Sequence, residues 1–214
     1  HWQEGSSCAA HAITTCRTIL YARDNDIKDI NKISLESFSP YYTYLSCKSK
    51  GSDAGINIAD FENINSKGFI KIKDFEYPNY FPFSKKNISS YSSLSVMKKE
   101  GINYKFSNYL RINEDDSSKE KIDAIKQELS LDNPAIVSFY WNKEKGFPER
   151  SKDEFGHAVA LIGYDDNLDG GSFLFFNSHG EDYGDNGKMW ITYKKFFKCQ
   201  KLIYFVYTNE KVDF

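Results

Sequence analysis

Residues 2–12 read WQEGSSCAAHA and place a cysteine between small polar residues and a run rich in alanine. From Ala9 onward, AAHAITTCRTILYARD contains no Pro or Gly and predicts an α-helix, with Ser6 or Ser7 as its N-cap. The apolar stripe of this helix is Ala12, Ile13, Cys16, Ile19 and Leu20. Cys8 is therefore expected in the first turn, where backbone N–H groups and the helix dipole favour an anion and lower the pKa of a thiol.

The composition is that of a folded protein with one large domain or two small lobes. The chain has 214 residues, of which 16% are aromatic, and this argues against disorder. With 28 basic and 30 acidic residues the formal net charge is -2, so charge indicates no nucleic-acid partner. No apolar run reaches the roughly 18 residues of a transmembrane helix, so no membrane-spanning segment is predicted.

The four cysteines, at positions 8, 16, 47 and 199, form no CxxC motif and no paired spacing. Neither a zinc site nor a disulfide framework is therefore predicted. We expect Cys16 to pack inward as a small apolar residue. The sequence implies no metal and no organic cofactor.

The chain changes from helical at the front to β-rich at the back. Helices are also predicted for residues 56–69, with Gly68 as the C-cap, and for residues 119–130. The segment from about 76 to 118 has the composition of crossing loops. Strands are predicted in AIVSFYW, HAVALIGYDD, SFLFFNS, KMWITYKKF and LIYFVYT. This order of elements predicts an α+β domain with two lobes and a cleft between them.

A nucleophilic Cys8 needs a base, and the candidates are His1, His11, His157 and His179. His157 follows a glycine and opens the strand HAVALIGY, a position from which a base on a rigid strand can face a cleft. It lies 149 positions after Cys8, and Asn177 follows it by 20. The distance from cysteine to histidine is that of papain and the cathepsins, in which an asparagine also occurs downstream of the cysteine.

On these residues the sequence resembles the papain family (C1 type) of cysteine peptidases, as a bacterial-style member. The segments that carry the resemblance, in the family's order, are QEGSSCAAHA, FSPYYTYLSC with SDAGINIADF, GHAVALIGYDD and NSHGEDYGDNGKMWITY. They span residues 3 to about 193. The resemblance implies a single papain-like domain over residues 1–214, with a helical lobe over about 1–105 and an antiparallel, β-barrel-like lobe over about 106–214. The active-site cleft would lie between the lobes.

The resemblance also implies a thiol-dependent peptidase. Cys8 would form an acyl-enzyme, with His157 as general acid and base and Asn177 orienting that histidine. Gln3 and the backbone N–H of Cys8 would stabilise the oxyanion. The implied substrate-binding residues are Ala54, Gly55, Ile56, Asn57, Gly156 and Ala158. The implied partners are a peptide or protein substrate and an N-terminal pro-segment or other domain not present in this chain.

The sequence departs from the family pattern in three ways. Gln3 lies five positions before Cys8, where the family has six. His179 stands where the family usually has a Trp that shields the His–Asn hydrogen bond. This histidine either stacks in place of the Trp or titrates near neutral pH and couples to the catalytic pair. Gly5 and Ser52 occupy usual cysteine positions of the family's cleft disulfides, so the fold must hold without those bridges.

Two other functions stay open. One is a catalytically inactive papain-like binding module, which the shorter Gln loop and the missing Trp favour. The other is a papain-like deamidase or acyltransferase that acts on protein side chains. The intact set of Cys8, His157 and Asn177 favours the peptidase. The sequence leaves open the cleavage specificity, the oligomeric state and the compartment; the resemblance favours a secreted or cell-surface location, and a cytoplasmic one stays open.

Overall fold

The computed structural model describes residues 6–47, 55–75, 104–112, 119–142, 144–150 and 154–208. These residues form two compact units. The helical unit contains the described residues up to 107 together with Thr208, and the sheet unit contains Asn108–Tyr207. The predicted α+β class is confirmed, because helices dominate the first unit and an antiparallel sheet dominates the second. Within the described parts of the chain, no helix is long and apolar enough to cross a membrane.

The described α-helices of the helical unit are α1 (Cys8–Asp24), α2 (Ile30–Leu35), α3 (Pro40–Cys47) and α4 (Phe61–Ser66). Short 3-10 helices cover Ile58–Asp60 and Ile72–Asp74. Helix α1 begins directly after Ser7, as the sequence predicts. Gly68 follows α4 with a φ of 69°, the left-handed conformation for which a glycine was expected there.

Aromatic rings and two buried cations build the core of the helical unit. Arg17 on α1 is 0% exposed, and its guanidinium carbon lies 4.7 Å from the ring centroid of Phe38. Lys71 donates to the Tyr21 hydroxyl at 2.8 Å and forms an ion pair with Glu36. The predicted stripe of α1 is therefore corrected at one point: Ile19 is only half-buried, while Arg17 faces the core. The guanidinium can be buried because its plane stacks on aromatic faces.

In the sheet unit the described strands are β1 (Asn108–Ile112), β2 (Ala135–Asn142), β3 (Phe147–Pro148), β4 (Glu154–Asp165), β5 (Ser172–Phe176), β6 (Lys188–Thr192) and β7 (Gln200–Tyr207). Its helices are α5 (Lys119–Ser130) and α6 (Tyr193–Cys199). The strand order is β1-β7-β2-β4-β5-β6, with β3 on β2 and every pair antiparallel. Over the described residues the sheet is open, with β1 and β6 at its edges.

One strand prediction was wrong in its second half. The segment KMWITYKKF is a strand only as far as Thr192, and Tyr193 begins α6. The reason is an N-cap: the Thr192 hydroxyl accepts a hydrogen bond from the backbone N–H of Lys195 at 3.3 Å. The prediction of a helix over residues 119–130 is confirmed.

The core of the sheet unit positions His157. Phe139 on β2 pairs directly with His157 on β4, so the two side chains lie on the same face of the sheet. That face carries the apolar core, including Trp141, Phe175 and the α6 residue Phe196. His157 therefore projects from a central strand into a rigid, largely apolar environment.

Candidate active site

Cys8 is the first residue of α1. Its N-cap, Ser7, is 1% exposed, and the first turn contains no acidic side chain. The backbone N–H of His11 donates to the Ser7 carbonyl at 3.1 Å. The backbone N–H of Cys8 therefore belongs to the first turn, whose N–H groups have no acceptor within the helix. The thiol is half-buried, while Ala9 and Ala10 behind it are buried. The positive end of the helix dipole therefore lies at the residue that carries the thiol.

Gly55 lies beside the chain that leads to Cys8. A Cβ added to Gly55 would lie 3.3 Å from the carbonyl oxygen of Ser6, two residues before the cysteine. Two backbones approach closely here, which explains a glycine at this position. The structure thus brings one of the predicted substrate-binding residues next to the predicted nucleophile's own segment.

The other predicted residues of the helical unit differ in their placement. Asn57 is exposed, and its side chain caps the following 3-10 helix by accepting from the Ala59 N–H at 3.0 Å. Ile56 is half-buried. Gln3 and Ala54 lie outside the described residues, so their predicted roles stay predictions.

His157 and Asn177 form a buried hydrogen bond in the sheet unit. The His157 Nε2 lies 2.7 Å from the Asn177 Oδ1, and the two residues are 1% and 3% exposed. The same Oδ1 accepts from the backbone N–H of Ser178 at 2.8 Å. Because a backbone N–H can only donate, Oδ1 and not the amide nitrogen faces His157, and the proton of the neutral imidazole is on Nε2. The His157 Nδ1 is buried and has no hydrogen-bond partner among the described residues.

Asn177 begins the turn that joins β5 to β6, residues 177–187, and the backbone of this turn depends on glycine. The backbone N–H of Asn177 donates to the Gly187 carbonyl at 2.8 Å, which closes the turn. Gly184 and Gly187 have φ values of 62° and 79°. A Cβ on Gly184 would collide with the Lys188 carbonyl, and one on Gly187 would lie 3.3 Å from the Gly180 carbonyl oxygen. The glycine-rich sequence after Asn177 is therefore required by the backbone of the turn.

Two rings enclose the imidazole of His157. His179 stacks on it, with ring centroids 4.7 Å apart and an interplanar angle of 28°. Trp141 on β2 packs against it at 4.4 Å and 56°, and contacts His179 edge-on at 5.6 Å. Of the two alternatives for His179, stacking agrees with this geometry. Trp141 is the second ring that packs against the imidazole of His157. Sequence reasoning missed Trp141; the available signal was that the chain has only three Trp residues, and that this one ends the predicted strand AIVSFYW.

Burial decides the protonation of His157 in this environment. It lowers the pKa of His157 to about 3; the hydrogen bond to Asn177 acts in the opposite direction, and nearby His179 lowers the pKa further. Burial also lowers the pKa of His179. Within the sheet unit, His157 is thus a neutral base with a lone pair on Nδ1, and an imidazolium would need an additional anion to stabilise it.

Gly156 and Ala158 flank His157 on β4. Gly156 is exposed, and a Cβ added there would meet nothing within 4 Å. Ala158 is buried, at 4% exposure. Among the residues that the structure describes, no group of three or more His, Cys, Asp or Glu side chains is arranged to hold a metal ion.

Known proteins resemble this chain in sequence and in fold. The family model described as papain family cysteine protease matches residues 5–208. No curated protein sequence matches the chain at a significant level.

Solved structures share the fold at low sequence identity. Xylellain, a cysteine protease from Xylella fastidiosa, is 21% identical with a TM-score of 0.72; the match covers 95% of this chain and 80% of that chain. Procathepsin L 3 of the Tenebrio molitor larval midgut is 15% identical, with a TM-score of 0.62 and coverage of 95% and 64%. Recombinant stem bromelain precursor is 17% identical, with a TM-score of 0.64 and coverage of 96% and 65%.

The family match extends over nearly the whole chain. The chain belongs to the papain family of cysteine proteases and is therefore a cysteine-type peptidase.

Proposed function

We propose that this peptidase hydrolyses peptide bonds through an acyl-enzyme on Cys8, with His157 as general acid and base and Asn177 orienting the imidazole. The observation that carries the proposal is the buried His157–Asn177 hydrogen bond, which leaves the Nδ1 of His157 with a lone pair and no partner among the described residues. The helical unit and the sheet unit are then the two lobes of one domain over residues 1–214, divided at about residue 105.

The reaction consists of two acyl transfers. The thiolate of Cys8, favoured by the N-terminus of α1, attacks the carbonyl carbon, and the C–N bond breaks as protonated His157 gives its proton to the amine. Water then attacks the thioester while neutral His157 accepts its proton; the C–S bond breaks, the acid is released, and the thiolate of Cys8 and protonated His157 are restored. Gln3 and the backbone N–H of Cys8 stabilise the oxyanion in both steps.

The substrate in this proposal is an extended peptide that pairs with the backbone of residues 54–57. The close approach of Gly55 to Ser6 supports this position, because it places a glycine beside the segment that carries the nucleophile. Ile56, Asn57, Gly156 and Ala158 are the remaining proposed contacts. Two similar structures are a procathepsin and a precursor, which supports an N-terminal pro-segment as a further partner.

The test is the alkylation rate of Cys8 by iodoacetamide at about pH 5.5 and about pH 8.5, in wild type and in His157→Ala. An ordinary thiol, with a pKa near 8.5, reacts far more slowly at the lower pH. We expect Cys8 to stay reactive at about pH 5.5 in wild type and to lose that reactivity in the variant. Half-buried Cys47, measured in the same digest, is the internal control. Equal behaviour of Cys8 in both proteins would contradict the proposal.

Product analysis separates the peptidase from the two other functions. Cleavage of a denatured protein substrate, with new amino termini, supports the peptidase. Release of ammonia without cleavage would indicate a deamidase, and a reactive Cys8 with no turnover would favour a binding module.

A further inference from the structure

We propose that His179 is a positioning residue whose neutral Nδ1 fixes the side-chain amide of Asn177, and through it the ring of His157. This inference rests on the proposed function, because it concerns the orientation of the proposed base. It assigns His179 a hydrogen-bonding role, which goes beyond the stacking that replaces the family's Trp.

The Asn177 amide has four hydrogen-bonding neighbours, namely Ser178, His157, His179 and Tyr183. Its oxygen accepts from the Ser178 backbone N–H and from the His157 Nε2, at 2.8 and 2.7 Å. Its nitrogen lies 3.2 Å from the Nδ1 of His179. Because an amide nitrogen only donates, the Nδ1 of His179 must accept, and the proton of neutral His179 is on Nε2. The backbone N–H of Ser178 fixes which end of the Asn177 amide is the oxygen, and the amide orientation in turn determines the tautomers of His157 and His179.

The His179 contact opposes a flip of the amide. Rotation by 180° would turn the amide nitrogen toward two donors, the Ser178 N–H and the His157 Nε2–H, and would turn the oxygen toward His179. An acceptor on His179 stabilises only the orientation that holds His157 by its Nε2. A Trp at this position would offer one N–H donor and no acceptor, so it could cover the pair without selecting the amide orientation.

Protonation of His179 would reverse this effect. Its Nδ1 would become a donor facing the amide nitrogen, and its charge would lie on a ring stacked 4.7 Å from His157. Among the described residues of the sheet unit, the titratable groups whose rings contact His179 are His157 and Tyr183, and the Tyr183 ring centroid lies 5.2 Å away; the nearby Glu181 and Asp182 are exposed. Since the proposed ion pair places a positive charge on His157, the active state requires neutral His179. Activity should therefore fall when acid protonates His179.

Two variants separate the acceptor from the ring. His179→Asn keeps an acceptor close to the position of Nδ1 and cannot take up a proton, whereas His179→Phe keeps a ring and removes the acceptor. At about pH 7.5 we expect kcat to fall about tenfold in His179→Phe with KM unchanged, and to stay within about threefold of wild type in His179→Asn. The acid limb of kcat/KM should move to lower pH in His179→Asn. Equal kcat losses in both variants, with unchanged pH profiles, would overturn the positioning role.

A second measurement does not depend on hydrolysis. Side-chain ¹⁵N NMR at neutral pH should show the Nε2–H tautomer of His179, and the Asn177 amide resonances should shift in His179→Phe more than in His179→Asn. An Nδ1–H tautomer, or Asn177 resonances that are the same in His179→Phe and wild type, would overturn the inference whatever the enzyme's activity. If the NMR result is as expected but the protein cleaves no peptide, the proposed function is overturned, while the hydrogen bonds between His179 and Asn177 and between Asn177 and His157 remain established.

Discussion

The indole of Trp141 covers the imidazole of His157, with ring centroids 4.4 Å apart and planes inclined at 56°. The contact joins adjacent strands, because Trp141 on β2 pairs with Phe155 and His157 pairs with Phe139. A diagonal cross-strand contact of this kind lies within reach of large rings. It keeps water away from the Asn177 hydrogen bond, which strengthens that bond and fixes the ring.

Replacing Trp141 by Leu should therefore affect both stability and catalysis. Trp141 is 1% exposed, and we expect Trp141→Leu to lower the free energy of unfolding by about 2–4 kcal/mol. The matched control is Trp190→Leu, since Trp190 is 39% exposed, and its cost should stay below about 1 kcal/mol. Urea denaturation measures the free energy of unfolding of the two Leu variants. The kcat of Trp141→Phe, which keeps an aromatic ring in the core, measures the effect on catalysis. Equal costs at the two sites would contradict the packing argument.

Cys8→Ala should change the titration of His157. Without the thiolate, burial keeps the pKa of His157 near 3, so the ring stays neutral through the ordinary pH range. In wild type the proposed anion on Cys8 should keep the ring protonated above pH 6, which NMR of the imidazole C–H protons can follow. Identical titration of His157 in the two proteins would argue against the ion pair.

The same variant has a predictable pH dependence of stability. The folded pKa lies below the unfolded value of about 6.5, so the unfolded chain binds a proton that the folded chain does not. The contribution of His157 to the free energy of unfolding is therefore fully present above about pH 6.5 and decreases as the pH falls toward 3. Urea denaturation of Cys8→Ala across this range measures the loss.

The glycines at 55 and 156 offer a matched pair of substitutions. In Gly55→Ala the new methyl group would lie 3.3 Å from the Ser6 carbonyl oxygen, so the segment before Cys8 must shift. We expect kcat/KM to fall about tenfold. In Gly156→Ala the methyl group meets nothing within 4 Å, so Tm should not change and a rise in KM would report contact with substrate. Unchanged kcat/KM in Gly55→Ala would contradict the argument that this contact positions the segment before Cys8.

Glu36 should stabilise the helical unit in a pH-dependent way. Its carboxylate pairs with Lys71, whose side chain is 6% exposed, and with Lys73 at 2.6 Å. Glu36→Gln removes the counter-charge of a buried cation and should cost about 3 kcal/mol, whereas Lys73→Gln, at a side chain 48% exposed, should cost less than about 1 kcal/mol. Thermal denaturation of both variants checks the contrast, and similar losses would contradict it.

The pH dependence of this pair has a definite sign. Hydrogen bonds from Lys71 and Lys73 lower the pKa of Glu36 below its usual value of 4.5. The stabilisation is therefore present above about pH 4.5 and is lost as the pH falls through the folded pKa. Wild type and Glu36→Gln should approach each other in stability at strongly acid pH.

Local sequence predicted those parts of the structure that local interactions determine. The start of α1 after Ser7 and the whole of α5 follow from helical periodicity, and the strand that carries His157 follows from its apolar run. The pairing of His157 with Asn177 was predicted through family spacing, and the structure contains that hydrogen bond.

Contacts between distant segments were not predictable in this way. Arg17 is buried because its guanidinium lies over the rings of Phe38 and Tyr104. These rings are distant in sequence, so no local pattern predicts that an Arg on α1 will contact them. The order β7-β2-β4, which puts Trp141 beside His157, is likewise a property of the assembled sheet. The end of β6 was missed because Tyr and Phe favour strands, while the Thr192 cap starts a helix there.

The two halves of the His157–Asn177 pair have different structural origins. His157 stands on β4, which pairs with β2 on one side and β5 on the other, so a substitution near it disturbs the most heavily constrained part of the unit. Asn177 and His179 lie in a turn whose backbone is closed by glycines. The backbone pairing of the strands does not involve these side chains, although the His179 ring packs against His157 and Trp141. Evolution or protein engineering could therefore retune the pH range of the enzyme at the turn while the base itself stays unchanged.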